Sequence, residues 1–212
     1  MPIYGRAYSA GVLKGRRARD ERAVIKRAFQ LLVQYVALKR IRLTAARGFA
    51  DVELFELIDP LGIRFVIRVK SRTKVWWQGQ WTSLATVGFV GNSRRRSLGR
   101  LCYCESASHW LWVNLCRARD KRGQWRIWYL VSNYARRATW ADEEYGCRFC
   151  CEEGFRDTKW YLGFRQARIA CIKAWSRLFA LFAIALLVLT SLAPHLLHGR
   201  DGQCCGQVKT DT

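Results

Sequence analysis

The sequence predicts an α/β fold: a mixed sheet flanked by helices and lengthened by a β-rich insertion. Three observations carry that expectation. A strand–helix–strand pattern with short connections runs from about residue 39 to 70. A tryptophan-rich stretch of short alternating segments follows, from about 75 to 134. Helical periodicity then resumes near 140 and continues toward the C-terminus. Half of the 212 residues are hydrophobic, so the chain can bury a core and is not disordered throughout.

Taken in order, "YGRAYSAG" near the N-terminus reads as a short strand and turn, and "MPIYGRAYSAG" has no apolar segment of a signal peptide. "DERAVIKRAFQLLVQYVAL" predicts an amphipathic helix, because Ala23, Ile25, Phe29, Leu32, Val33 and Tyr35 or Val36 recur at helical spacing. Asp20 is placed to cap it. "KRIRLTA" predicts a short strand, and "ADVELFELIDPLG" a helix stopped by Pro60 and Gly62. "IRFVIRVK" at 63–70 is strongly β-patterned, and the short connections make it a parallel partner of the preceding strand. Seven of the ten tryptophans lie between 75 and 134, where "HWLWVNL" and "WRIWYLVSNY" predict antiparallel strands. The boundaries that follow are a partial core at 1–74, the insertion at 75–139, C-terminal helices at 140–198 and a disordered tail at 199–212.

Charge narrows the partners. Lys and Arg number 37 against 16 acids, a net +21, and arginine dominates runs such as "GRRARDER" and "NSRRRSLGR". Such an excess favours phosphate backbones or anionic lipid, and arginine's planar fork favours phosphate. The nine cysteines are spaced too irregularly for a secreted disulfide scaffold. Cys102 with Cys104 and Cys147 with Cys150 could suggest zinc. But Cys147 falls on the same expected helix as Arg148 and no second C-x-x-C follows, so the expectation is reduced thiols and no zinc. The 16 uncharged residues at 178–193 form either a buried helix or a membrane span. The second option gives an alternative reading, a small basic membrane-anchored protein.

The stretch "YGCRFCCEEGFRDTK" at 145–159 has the most specific pattern. At about 100° per residue, Tyr145, Arg148, Glu152 and Lys159 fall within an arc of about 60° on one helix. They form a ridge with one carboxylate between cations, which is either a solvated helix face or a place for a polyanion.

Tyr-x2-Arg-x3-Glu-x6-Lys resembles the signature of DDE transposases of the insertion-sequence-4 type. "EEGFRDTKWYLG" resembles the wording around that family's third catalytic acid, and "ARGFADVELFELIDPLGIRFVIRVK" its Asp-Arg-Gly-Phe, helix, strand segment. "MPIYGRAYSAG" and "SRLFALFAIALL" are similar to its flanking strand and C-terminal helix, so the resemblance spans about residues 1–195. It implies a ribonuclease-H-like mixed sheet with a β-rich insertion ahead of the helix bearing the acid, and it favours a packed helix at 178–193. It also implies DNA transposition by two Mg²⁺ ions held on three carboxylates, with Glu152 as the third catalytic and metal-binding acid. Tyr145, Arg148 and Lys159 would contact phosphates of transposon-end duplex DNA, Arg156 would add a non-specific contact, and Trp125 would stack on a flipped base. A homodimer on DNA and a bacterial cytoplasmic, nucleoid-associated location follow from the same resemblance.

The departures from the pattern matter as much. Ala46 stands where the family's second acid opens "Asp-Arg-Gly-Phe", and Asp51 is five residues further on. The first acid would precede Met1, as would the strand that carries it. One carboxylate of three does not hold two Mg²⁺ ions. The expectation is therefore a truncated copy with a sheet open at one edge, catalytically inactive and retaining DNA binding at most.

Overall fold

The computed structural model describes residues 17–197 except 33, 36, 38–40, 90–91, 108, 120–121, 136, 162–165, 167–168 and 170. The strand expected over "YGRAYSAG" and the tail after Gly199 lie outside the described residues. The chain divides into two compact units, one of residues 15–150 and one of residues 1–14 with 151–212.

The first unit is built on a seven-stranded mixed sheet, flanked by helices. Its strands are β1 (Arg42–Ala45), β2 (Arg64–Val69), β3 (Lys74–Trp77), β4 (Gln80–Ser83), β5 (Arg95–Tyr103), β6 (His109–Arg119) and β7 (Trp125–Ser132). Their spatial order is β1-β2-β7-β6-β5-β3-β4. β1 and β2 are parallel, in the register Arg42 with Arg64 through Ala45 with Ile67. Every other pairing is antiparallel. Among the described residues β1 forms one edge of the sheet.

Helix α1 (Arg17–Leu32) and helix α2 (Val52–Ile58) serve one face of the sheet. Asp51 caps α2, accepting a hydrogen bond from the Leu54 N–H at 2.9 Å. Pro60 lies in the 3-10 turn that follows α2, and Gly62 ends that turn. Leu54, Phe55 and Ile58 of α2 pack on Phe65, Ile67 and Val69 of β2, on Leu111, Val113 and Leu115 of β6 and on Val131 of β7. Alternate residues of the same strands face the other way. There Val66, Cys116 and Leu130 meet Ala141 and Tyr145 of helix α3 (Ala138–Gly146). Arg95 pins α3 to β5, its guanidinium 2.9 Å from the Asp142 carboxylate. Gln78 and Gly79 link β3 to β4 with φ of 51° and 81°, the pair of positive values that a two-residue hairpin turn requires.

Three local expectations are corrected. α1 begins at Arg17, so Asp20 lies inside the helix rather than at its cap, and α1 ends at Leu32, leaving Tyr35 82% exposed. The single helix expected through 145–159 is two. α3 stops at Gly146, Cys147 and Arg148 form a turn, and helix α4 (Phe149–Tyr161) starts afresh. The turn is tightened by i→i−3 bonds, from Arg148 N–H to the Tyr145 carbonyl and from Cys150 N–H to the Cys147 carbonyl, at 3.0 and 3.2 Å.

α4 crosses the division between the units, and the helices described in the second unit are the rest of α4 and α5 (Ile172–Leu197). α5 contains the whole apolar run and continues through Pro194. Trp175, in its first turn, donates its indole N–H to the Ile169 carbonyl, ahead of the helix, at 2.8 Å. Among the described residues no helix is long and apolar enough to cross a membrane.

Candidate nucleic-acid interface

β1 and β2 run side by side in the same direction, so both carboxyl ends open at one end of the sheet. In α/β sheets that end is where ligands are usually received. Ala46 follows β1 directly and leads into the short turn Arg47–Phe49, while Lys70 follows β2 and leads into Ser71 and Arg72. Together these segments line a cavity of about 630 Å³ bounded by Ala46, Arg47, Gly48, Lys70, Ser71 and Arg72. Three of its six residues are cationic and none is acidic. Arg47, Lys70 and Arg72 are exposed, and no ion pair joins them to an acid among the described residues.

Two more arginines extend this charge over the α3 face. The Arg68 guanidinium lies 5.3 Å from the Trp128 ring centre. Arg148 lies 5.5 Å from the Tyr145 ring and 5.1 Å from the Phe149 ring. The rings themselves interlock: Trp128 meets Tyr145 edge-on at 5.4 Å and stacks on Phe149 at 5.8 Å. Arginine and aromatic side chains thus alternate, each guanidinium supported by a π face. Burial holds the Arg68 guanidinium below its usual pKa; the like charges of Arg47 and Arg148 push the same way, and Tyr145 opposes them. Cations held this near one another repel, and an anion placed among them relieves that repulsion.

The residues singled out in the sequence are distributed as follows. Ala46 lines the cavity. Tyr145 is 1% exposed and belongs to the core under α3, so its ring supports Arg148 instead of standing on the surface. Arg148 is half-buried in the turn between α3 and α4. Trp125 opens β7 and is 48% exposed, with Arg94 and Arg119 lying 5.3 and 5.0 Å from its ring centre. It stands four residues, roughly 13 Å of strand, beyond Tyr129, the partner of Val69. Glu152, Arg156 and Lys159 are exposed on α4 in the second unit, where Arg156 pairs weakly with Asp157 at 3.5 Å.

The cavity does not suit Mg²⁺. That ion requires close octahedral oxygen coordination, usually with one or two carboxylates. A methyl group at Ala46 and three cations around it supply the opposite field. Among the described residues no three His, Cys, Asp or Glu side chains converge on a common point.

No protein-family model matches the chain. Nor does any curated protein.

The sequence alone did not reveal Lys70, Arg72 and Arg68 as members of the site. They lie more than twenty positions from Ala46 and meet it through the parallel pairing of β1 with β2. The available signal was positional: each cavity cation follows the last residue of a strand in a strand–helix–strand unit.

Proposed function

We propose that this chain is a catalytically silent relative of DDE transposases of the insertion-sequence-4 type, with a ribonuclease-H-like sheet, and that its activity is binding duplex DNA. The observation that carries the DNA reading is the run of five cations, Arg47, Arg68, Lys70, Arg72 and Arg148, around the carboxyl ends of β1 and β2. The order of elements supports the family reading: a parallel pair enclosing a helix, five antiparallel strands, then the helices that carry Arg148 and Glu152. Duplex DNA carries a phosphate about every 3.4 Å of helix axis on each strand, so a cluster of this size engages several at once. The membrane-anchored alternative loses support, because no helix among the described residues is long and apolar enough to span a bilayer.

The test is fluorescence anisotropy of a labelled duplex across a salt series, paired with a cleavage assay in Mg²⁺ and Mn²⁺. Binding should weaken with a log–log salt slope of about −4, as release of counterions from four or five phosphates requires. No strand should be cut, and Ala46→Asp should not restore cutting, since one added carboxylate leaves the metal set incomplete. Absence of binding at low salt would overturn the DNA reading. Cleavage by wild type or by Ala46→Asp would overturn the silent one.

A further inference from the structure

We propose that the cavity at the carboxyl ends of β1 and β2 is a phosphate subsite that needs no metal, so that side-chain cations replace a divalent ion where the family resemblance would place one. The inference rests on the reading above for the source of the phosphate and for the divalent ion that the cations would replace; phosphate binding itself does not depend on it.

The cavity walls carry the argument. Ala46 offers no oxygen at the position where the resemblance expects a carboxylate, and Arg47, Lys70 and Arg72 surround it with charge unbalanced by any lining acid. A phosphate there would receive a guanidinium fork from Arg47 or Arg72 and an ammonium from Lys70, the pairing that makes charge-assisted hydrogen bonds strongest. Ser71 adds a hydroxyl to the wall. Its backbone is not mobile in the way of a free loop. The Ser71 carbonyl accepts from the Ala85 N–H at 2.8 Å and from the Ser83 hydroxyl at 2.9 Å, tying the Lys70–Arg72 segment to the end of β4. The opposite wall is fixed as well, since the Phe49 N–H bonds to the Ala46 carbonyl at 3.0 Å. A cavity of about 630 Å³ exceeds what one phosphate fills, and accommodates a phosphodiester with the sugars on either side.

Charge alone would attract anions anywhere on a protein of net +21, so the measurement has to separate a site from an atmosphere. Equilibrium dialysis with radiolabelled inorganic phosphate, at fixed ionic strength and in EDTA, does this. The expected result is one saturable site per chain whose affinity is unchanged by added Mg²⁺. Lys70→Ala and Arg72→Ala should each weaken it several-fold, and Ala46→Asp at least tenfold. Arg100→Ala, a change at an exposed arginine outside the cavity, should leave it unaltered. Failure to saturate, binding that requires Mg²⁺, or equal or tighter binding by Ala46→Asp would each overturn the proposal. Adding an unlabelled duplex then identifies the source. Displacement of phosphate means that the cavity receives the nucleic-acid backbone. Duplex binding without displacement leaves the subsite standing for free phosphate, and removes this cavity from the DNA interface. Phosphate binding without any duplex binding would sustain the subsite while the DNA reading fails.

Discussion

The two ends of the parallel pair are built from similar residues to opposite purpose. At the amino end the polar groups answer one another across several elements. Asn133 donates to the Asp59 carboxylate at 2.7 Å and to the Ile63 carbonyl at 2.9 Å, and accepts from the Phe65 N–H at 3.0 Å. Asp59 also holds His109 at 2.9 Å. Glu144 accepts from the Tyr134 hydroxyl at 2.5 Å and pairs with Arg42 at 3.4 Å, while Arg64 lies over the Tyr134 ring. At the carboxyl end Arg47, Lys70 and Arg72 have no acid beside them among the described residues. The first arrangement fixes the starts of β1, β2 and β6 and the exit of β7. The second leaves charge available. Part-buried polar groups that satisfy one another stabilise the fold, whereas unbalanced surface cations add little to it and are available to an anionic partner.

The largest expected effect is on binding. Lys70→Glu combined with Arg72→Glu should reduce duplex affinity about a hundredfold at moderate salt and flatten the salt slope. Arg64→Glu, at the other end, should change it about threefold or less. Equal losses from both would dissolve the distinction between the ends. Stability should respond the other way round. Asn133→Ala leaves the Phe65 N–H and the Ile63 carbonyl without this partner, and should cost about 2–3 kcal/mol in urea unfolding. Lys70→Ala with Arg72→Ala should cost within about 0.5 kcal/mol of nothing.

Alkaline pH probes the tie between the carboxyl end and the rest of the sheet. The Tyr103 hydroxyl, at the end of β5, donates to the Ala50 carbonyl at 3.2 Å. Burial pushes that phenol up to about 12, and the Asp51 charge adds to the effect. On the opposite face burial, with Asp142, pushes the Cys116 thiol up to about 12. Both groups hold their proton more tightly when folded. Their stabilisation is therefore complete below the ordinary values of 9.0 for the thiol and 10.0 for the phenol, and is lost as pH rises toward 12. Each group should steepen the loss by about 1.4 kcal/mol per pH unit within its own window. Tyr103→Phe should remove the part above pH 10 and Cys116→Val the part that begins at 9. A loss that neither variant alters would place the alkaline sensitivity elsewhere.

Much of the fold was legible because local signals agreed with one another. Pro60 and Gly62 marked the end of α2, the alternation in "IRFVIRVK" marked β2, and the short links between them made β1 and β2 parallel. What was not legible depended on contacts between distant segments. Nothing local says that β7 lies beside β2, joining the tryptophan-rich strands into the same sheet as the parallel pair. The break at Cys147 and Arg148 had a weak signal in Gly146, a poor helix former, but the periodicity of Tyr145, Arg148, Glu152 and Lys159 outweighed it. Tyr145 has the right spacing for a ridge and the right size for a core. Trp128 is what claims it: the two rings meet at 5.4 Å.

Between the two ends lies a residue that fits neither. Asn114, midway along β6, stands opposite Leu130 of β7 and Ser97 of β5, and its side chain is fully buried. Neither its amide nitrogen nor its amide oxygen has a hydrogen-bond partner. Its neighbours on that side of β6, β7 and β2 include Cys116, Leu130 and Val66, which are apolar. An unpaired amide in such surroundings costs about 1–3 kcal/mol, part of which an apolar side chain of similar size recovers. Asn114→Leu should therefore raise the unfolding free energy by about 1 kcal/mol without affecting duplex or phosphate binding. A loss of stability would mean that the amide is satisfied inside the folded protein, and would group the centre of the sheet with the mutually paired side chains of the amino end. A gain in stability with weakened binding would mean that Asn114 is kept for the ligand, and that the division between a structural end and a binding end runs through the middle of the sheet.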